Sequence, residues 1–217
     1  MAPQCFDTTL AKRIAADLLE VGAIKLQPDQ PFTWASGWQS PIYCDNRMSL
    51  SYPSVRTTIK HAFVKLIEEQ YPDVRGVVGV ATAGIPQGAL VADTLDLPFA
   101  YVRSSSKSHG LQNQVEGHLK SGQKVVVVED LVSTGGSSIK AIEALRTGGV
   151  DVLGLISIFT YGFQDALKNL ENADVKLTYL SDYETLLALA LEKKLIPETL
   201  LATLQAWRQH PESWNRG

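Results

Sequence analysis

Apolar residues recur at helical spacing in several stretches of the chain, separated by runs that read as buried strands. Leu10, Ile14, Leu18 and Val21 lie on one helical stripe, with Asp7 placed to cap its start and Gly22 to end it. Between Phe32 and Asp45, aromatic residues mix with Gly and Pro, which predicts short strands joined by turns. Val55, Ile59, Phe63, Leu66 and Ile67 mark a second helix over Ser54–Glu69, followed by a buried strand at Gly76–Val80. Pro86 suits the first turn of a helix running to about Thr94, and Phe99–Arg103 reads as the next strand. Ser104–Gln114 is the longest polar stretch and reads as a loop. Four consecutive valines in Lys124–Glu129 suit a parallel strand covered on both faces. A helix over Gly136–Thr147, a strand over Val152–Phe159 and two helices in Asp182–Gln209, broken near Pro197, complete the pattern.

Strands alternating with helices predict an α/β fold: a doubly wound parallel sheet flanked by helices, whose ligands bind beyond the carboxyl ends of the strands. The 217 residues, 45% of them hydrophobic, suffice for one core, so we read a single domain over 1–217. Residues 1–50 or so add a helix and short strands beside the main sheet, and about 182–217 add the two C-terminal helices.

Charge narrows the partners. A net charge of −3 argues against a nucleic-acid surface, which needs clustered Lys and Arg. Neither a membrane span nor a signal-peptide arrangement is present in the sequence, so a soluble cytoplasmic protein is expected. Cys5 and Cys44 stand in no metal-ligand spacing, and no metal site is predicted from the residues.

The run Val125-Val126-Val127-Val128-Glu129-Asp130-Leu131-Val132-Ser133-Thr134-Gly135-Gly136-Ser137 carries the most chemistry. We read it as a buried strand ending in two carboxylates, then a Ser/Thr/Gly loop entering a helix. Backbone N–H groups and hydroxyls there converge at the positive end of the helix dipole, where a phosphate is favoured. The carboxylates would repel phosphate but accept hydrogen bonds from vicinal hydroxyls, so the pattern calls for a sugar phosphate. The alternative is an ordinary turn with Ser137 or Ser138 as a helix cap. Ala81 to Ile85 are small residues after a strand, through which backbone amides could reach an anion. Arg103, Lys107 and His109 place three potential cations on or beside the polar stretch.

This run resembles the phosphoribosyl pyrophosphate motif of type I phosphoribosyltransferases. Phe32-Thr33-Trp34-Ala35-Ser36-Gly37 with Ser40-Pro41-Ile42-Tyr43 resembles the base-binding hood of the orotate phosphoribosyltransferases. Gly79-Val80-Ala81-Thr82-Ala83-Gly84-Ile85-Pro86 resembles their pyrophosphate loop, and Tyr101-Val102-Arg103 through Lys107-Ser108-His109-Gly110 to Glu116-Gly117 their catalytic loop. The resemblance implies a transferase of de novo pyrimidine biosynthesis that joins orotate to C1 of phosphoribosyl pyrophosphate (PRPP). In that reading Lys107 and His109 are catalytic. PRPP is held by Arg103, Lys107, His109, Ala83 and the segment Glu129, Asp130, Leu131, Val132, Ser133, Thr134, Gly135, Gly136 and Ser137. Ser133 and the backbone amides of Tyr43 and Cys44 would contact orotate, while Trp34, Trp38 and Tyr43 form either a shelf over the base or simple packing. Magnesium would arrive bound to substrate, and a homodimer would share the catalytic loop across its interface. The sequence departs from the family where many members carry lysines at Ala35, Ala83 and Ser104 and an arginine at Tyr161. Either Arg103, Lys107, His109 and Arg47 compensate, or the rate or the base preference differs; compensation is the expectation, since the other motifs are complete.

Overall fold

The computed structural model describes residues 2–103 and 114–214. Seven strands form the central sheet, in the order β1 (Gln4–Cys5), β11 (Leu177–Asp182), β10 (Asp151–Thr160), β9 (Lys124–Val132), β6 (Val77–Val80), β7 (Phe99–Val102) and β8 (Val115–Glu116). Every pairing is parallel except that of β8, an antiparallel edge strand on β7. The flanking helices are α1 (Thr8–Glu20), α2 (Pro53–Gln70), α3 (Gly84–Leu95), α4 (Gly136–Thr147), α5 (Gln164–Asn172), α6 (Tyr183–Glu192) and α7 (Leu201–Gln209).

The valine run explains itself in this sandwich. Val126 and Val128 join the core shared with Ile14 of α1 and Phe63 of α2, whereas Val125 and Val127 join the core shared with Ile142 and Leu145 of α4. A strand apolar at every position is thus covered on both faces. The chain lays β7 on one side of β6 and then returns to lay β9 on the other, in register Val77↔Val126, Val78↔Val127 and Gly79↔Val128. The direction of winding therefore reverses between β6 and β9, and such a reversal opens a crevice at the strands' carboxyl ends.

Several elements fall where the sequence places them. The Asp7 carboxylate accepts hydrogen bonds from the Thr9 and Leu10 amides, at 2.8 and 2.9 Å, and caps α1. The bounds of α4 match the predicted Gly136–Thr147. The acidic strand requires a correction. β9 runs on to Val132 instead of ending at the carboxylates, because β10 pairs with it along its length, through Ser157↔Glu129, Phe159↔Leu131 and Thr160↔Val132. Glu129, Asp130, Leu131 and Val132 are strand residues, and the loop shortens to Ser133–Gly135. α5 and β11 were not foreseen; α5 carries only a narrow apolar stripe of buried Ala166 and Leu170 among Gln, Asp, Lys, Asn and Glu.

Beside the strand ends sits a small antiparallel module, the hood. In it β2 (Ile24–Leu26) pairs with β5 (Ile42–Cys44), and β3 (Phe32–Thr33) pairs with β4 (Gln39–Ser40). α7 lies beneath it. Trp207 is fully buried, donates from Nε1 to the Gln39 carbonyl at 3.2 Å and meets Trp34 edge-on at 5.7 Å between centroids. Truncation of so large a buried ring typically costs about 3–5 kcal/mol. Trp207→Ala should lose stability in that range by denaturant titration. A loss under about 1 kcal/mol would show that the fold does not need this ring beneath the hood. No helix of the described residues is long and apolar enough to cross a membrane.

Candidate active site

Two loops leave the sheet at the crevice. The first, Ala81–Ala83, follows β6 and leads directly into α3, with Ala83 at the N-cap position and no side-chain cap. Its first amide, that of Ala81, is held by the Val102 carbonyl at 2.9 Å, and the Ala81–Thr82 peptide is cis. Gly79 and Gly84 are required by closeness. A Cβ on Gly79 would lie 2.7 Å from the Gly84 carbonyl oxygen, and one on Gly84 would collide with the Val128 carbonyl of β9.

The second loop, Ser133–Gly135, follows β9 and enters α4. Gly135 is the N-cap residue with φ +79°, a left-handed conformation that glycine adopts without steric cost. No side chain caps α4, so the amides of its first turn are unclaimed by any cap. Gly136 and Ser137 are exposed, whereas Ser138 is buried and does not act as the cap. Its hydroxyl instead donates to Glu129 Oε2 at 3.0 Å.

Glu129 and Asp130 lie between the two loops. Glu129 is 5% exposed, and its Oε1 accepts the Asp130 amide at 3.1 Å. Burial pushes the Glu129 carboxyl well above its ordinary value, and the neighbouring Asp130 charge pushes it further; the Ser138 hydroxyl pulls it back. Burial also raises Asp130. A group whose folded pKa is raised stabilises the fold below its unfolded pKa and loses that contribution as pH rises through the folded value. Burial thus disfavours the ionised form of this pair, which hydrogen-bond donors from a ligand would favour. Since such donors favour the ionised form, ligand binding should weaken as pH falls. Ser138→Ala removes a donor to Glu129, so the acid limb of kcat/KM for the sugar phosphate should move to higher pH. An unmoved limb would detach that limb from Glu129.

The hood brings the base-contact candidates to the same edge. In the β2–β5 ladder the Asp45 amide donates to the Ala23 carbonyl at 2.7 Å and that of Gln27 to the Pro41 carbonyl at 2.8 Å. By antiparallel alternation the Tyr43 amide turns into the ladder and the Cys44 amide faces away from β2. The Tyr43 side chain is 40% exposed. Trp34 and Trp38 pack into the molecule: Trp34 donates from Nε1 to the Ile42 carbonyl at 3.2 Å, lies 5.2 Å from Tyr161, and Trp38 meets the Phe163 ring. Tyr161 is 2% exposed and stacks on Phe163 at 5.2 Å, so the position where many family members carry an arginine belongs here to an aromatic cluster. Burial among these rings holds its phenol well above the ordinary value and keeps it neutral.

Of the expected cations, Arg103 follows β7 directly, outside the strand that the sequence pattern extends to it, its amide bonded to the Gln114 carbonyl at 2.9 Å and its guanidinium 3.4 Å from Glu116. Lys107, His109 and Ser104 lie outside the described residues. Arg47 is matched by Asp45, its Nε and Nη2 at 2.7 and 2.8 Å from the carboxylate, which leaves less of its charge for a ligand. Asn46 was missed by sequence reasoning. It is buried and donates from Nδ2 to the Asp130 carbonyl at 2.7 Å across 84 residues of sequence. Among the described residues no three His, Cys, Asp or Glu side chains gather as a metal cage.

A crevice at the winding reversal brings together two loops that each enter a helix without a side-chain cap and the carboxylates of buried Glu129 and half-buried Asp130. Residues 51–179 match the phosphoribosyl transferase domain family. A protein of Porphyromonas gingivalis called orotate phosphoribosyltransferase is 56% identical over 206 residues, covering 95% of this chain and 98% of that one. One of that name from Listeria innocua is 50% identical over 208 residues, covering 96% of this chain and all of that one. The crystal structure of the Aeropyrum pernix orotate phosphoribosyltransferase superposes with a TM-score of 0.70 at 31% identity, covering 84% of this chain and 99% of that one. The chain belongs to the phosphoribosyl transferase family.

Proposed function

We infer that this protein is an orotate phosphoribosyltransferase, which transfers the phosphoribosyl group of PRPP to orotate and releases orotidine 5'-monophosphate and pyrophosphate in pyrimidine biosynthesis. The observation that carries this reading is the Glu129–Asp130 pair, the first buried and the second half-buried, set beside the Ala81–Ala83 and Ser133–Gly135 loops. Near-full-length identity to proteins of that name supports the choice of base.

In this reading the labour is divided. The amides of Ser133 to Ser137 and the dipole of α4 hold the 5'-phosphate, and the loop at Ala83 holds pyrophosphate. Glu129 and Asp130 accept the ribose hydroxyls and place negative charge beside a ring that gains oxocarbenium character as the C1–pyrophosphate bond stretches. Ser133 and the Cys44 amide, with Tyr43 above, orient orotate so that its ring nitrogen faces C1. Arg103, in a half-exposed pair with Glu116 that is cheap to break, turns with Lys107 and His109 toward the departing pyrophosphate. Glu129 and Asp130 are the carboxylates that would stand beside a magnesium ion brought in with the substrate, and such an ion would supply positive charge to offset that of the leaving group. The enzyme works in the cytoplasm as a homodimer in which the loop carrying Lys107 enters the partner's site.

Incubation with magnesium, PRPP and each of orotate, uracil, adenine and hypoxanthine tests the assignment through pyrophosphate release. Orotate should be used with the highest kcat/KM. Higher efficiency with any other base overturns the choice of substrate.

A further inference from the structure

A line of buried polar groups joins the three parts of the site. Asn46 sits in a 3-10 turn, Asn46–Ser51, immediately after β5, and is 1% exposed. Its Nδ2 donates to the Asp130 carbonyl at 2.7 Å, and its Oδ1 accepts the Cys44 thiol at 3.4 Å. The Ser49 hydroxyl, fully buried, donates to the Asn46 carbonyl at 2.6 Å. Gln87 of α3, 1% exposed, donates from Nε2 to Ser49 Oγ at 3.4 Å. The line therefore runs from the helix behind the pyrophosphate loop, through the turn below the hood, to the ribose-binding strand.

We propose that Asn46 is a positioning residue: its amide fixes the hood residues Tyr43 and Cys44 against Asp130 and so sets the distance and angle between the bound base and C1 of the ribose. The proposal rests on the orotate phosphoribosyltransferase reading of the site. The physical case is one of rigidity and cost. Burying an amide is unfavourable unless both its ends are hydrogen-bonded, and here both ends are used, on two different substrate-binding segments. The hood is built of two- and three-residue strands, which cannot hold their own orientation. The Asn46 amide bonds β9 from the turn next to the base-contact residues. Asp130 is held through its carbonyl, which leaves its carboxylate to the ribose.

The test uses the full-length protein and steady-state kinetics in both substrates. Asn46→Leu keeps volume and removes both hydrogen bonds. Turnover should fall about 10²-fold, in line with the cost of a misplacement near 1 Å, while KM for PRPP changes less than about threefold. Asn46→Asp keeps the acceptor for Cys44 but sets an oxygen against the Asp130 carbonyl. Its activity relative to wild type should rise as pH falls, because the protonated carboxyl can donate again. A merely structural role predicts neither the split between kcat and KM nor that pH-dependent rescue. Turnover within about threefold of wild type in a folded Asn46→Leu protein, or a flat ratio of Asn46→Asp to wild type across pH, overturns the proposal. If Asn46→Leu fails to fold, Ser49→Ala decides. It removes the 2.6 Å support of the Asn46 backbone and should lower kcat several-fold at unchanged KM for PRPP; wild-type kinetics there overturn it. Wild-type protein in the same assay separates the two readings, since its failure to use orotate condemns the assignment of function and not the role of Asn46.

Discussion

Gly84→Ala is expected to cripple both the fold and PRPP binding. The added methyl would run into the Val128 carbonyl, with Glu129 Cα 3.5 Å away, and both are backbone that cannot swing aside. Either α3 must lift from β9 or β9 must shift beneath the carboxylates. Overpacking of this kind costs about 3 kcal/mol, which in a chain of this size lowers Tm by roughly 6–12 °C. Because α3 begins at the pyrophosphate loop, the same displacement should raise KM for PRPP at least about tenfold, the size of losing one charge-assisted hydrogen bond. Gly122→Ala is the contrasting control: it forces a residue to a positive φ, +74°, which Gly84 does not have, but its Cβ would meet nothing within 4 Å and it lies away from the strands' carboxyl ends. It should lose about 1 kcal/mol from backbone strain and leave kinetics unchanged. A Gly84→Ala protein with wild-type Tm and KM would show that α3 and β9 do not need this contact.

The second large effect belongs to Lys107. Removing one cation that meets charge developing on the leaving group should lower kcat about 10²- to 10³-fold, with a smaller change in KM for PRPP. Asp130→Asn should instead act mainly on PRPP binding. Mixing these two impaired variants tests whether the loop acts in trans. In a hybrid dimer one site would receive Lys107 from one chain and Asp130 from the other, while its twin would carry both lesions. Equal random mixing gives hybrids as half of all dimers, so activity should recover to about a quarter of wild type. No recovery in a mixture shown to contain hybrids would confine each site to a single chain and leave the reaction untouched.

The parts of this site that are contiguous in sequence were legible before the fold was known. Four valines, two carboxylates and a Ser/Thr/Gly turn lie within one segment, and α4 follows it at the bounds its pattern predicts. What could not be read was where the strand stops. Its last residues, Leu131 and Val132, are held by Phe159 and Thr160, a partnership set by the register of β10 and not by local propensity. Asn46 was invisible for a related reason. A single asparagine after a short strand ordinarily signals a turn, and its hydrogen-bond partner stands 84 residues away. The packing of Trp34 had two open explanations, a shelf for the base or part of the core; Trp207 and Tyr161, both distant in sequence, place it in an aromatic cluster.

The seat of Trp207 beneath the hood gives the chain a timetable. Gln39, whose carbonyl takes the indole N–H, leaves the ribosome 168 residues ahead of that indole. The strands of the central sheet and the carboxylates of β9 can assemble while the hood still lacks its floor. Synthesis thus completes the strand that carries Glu129 and Asp130 well before α7, the piece that closes the underside of the hood.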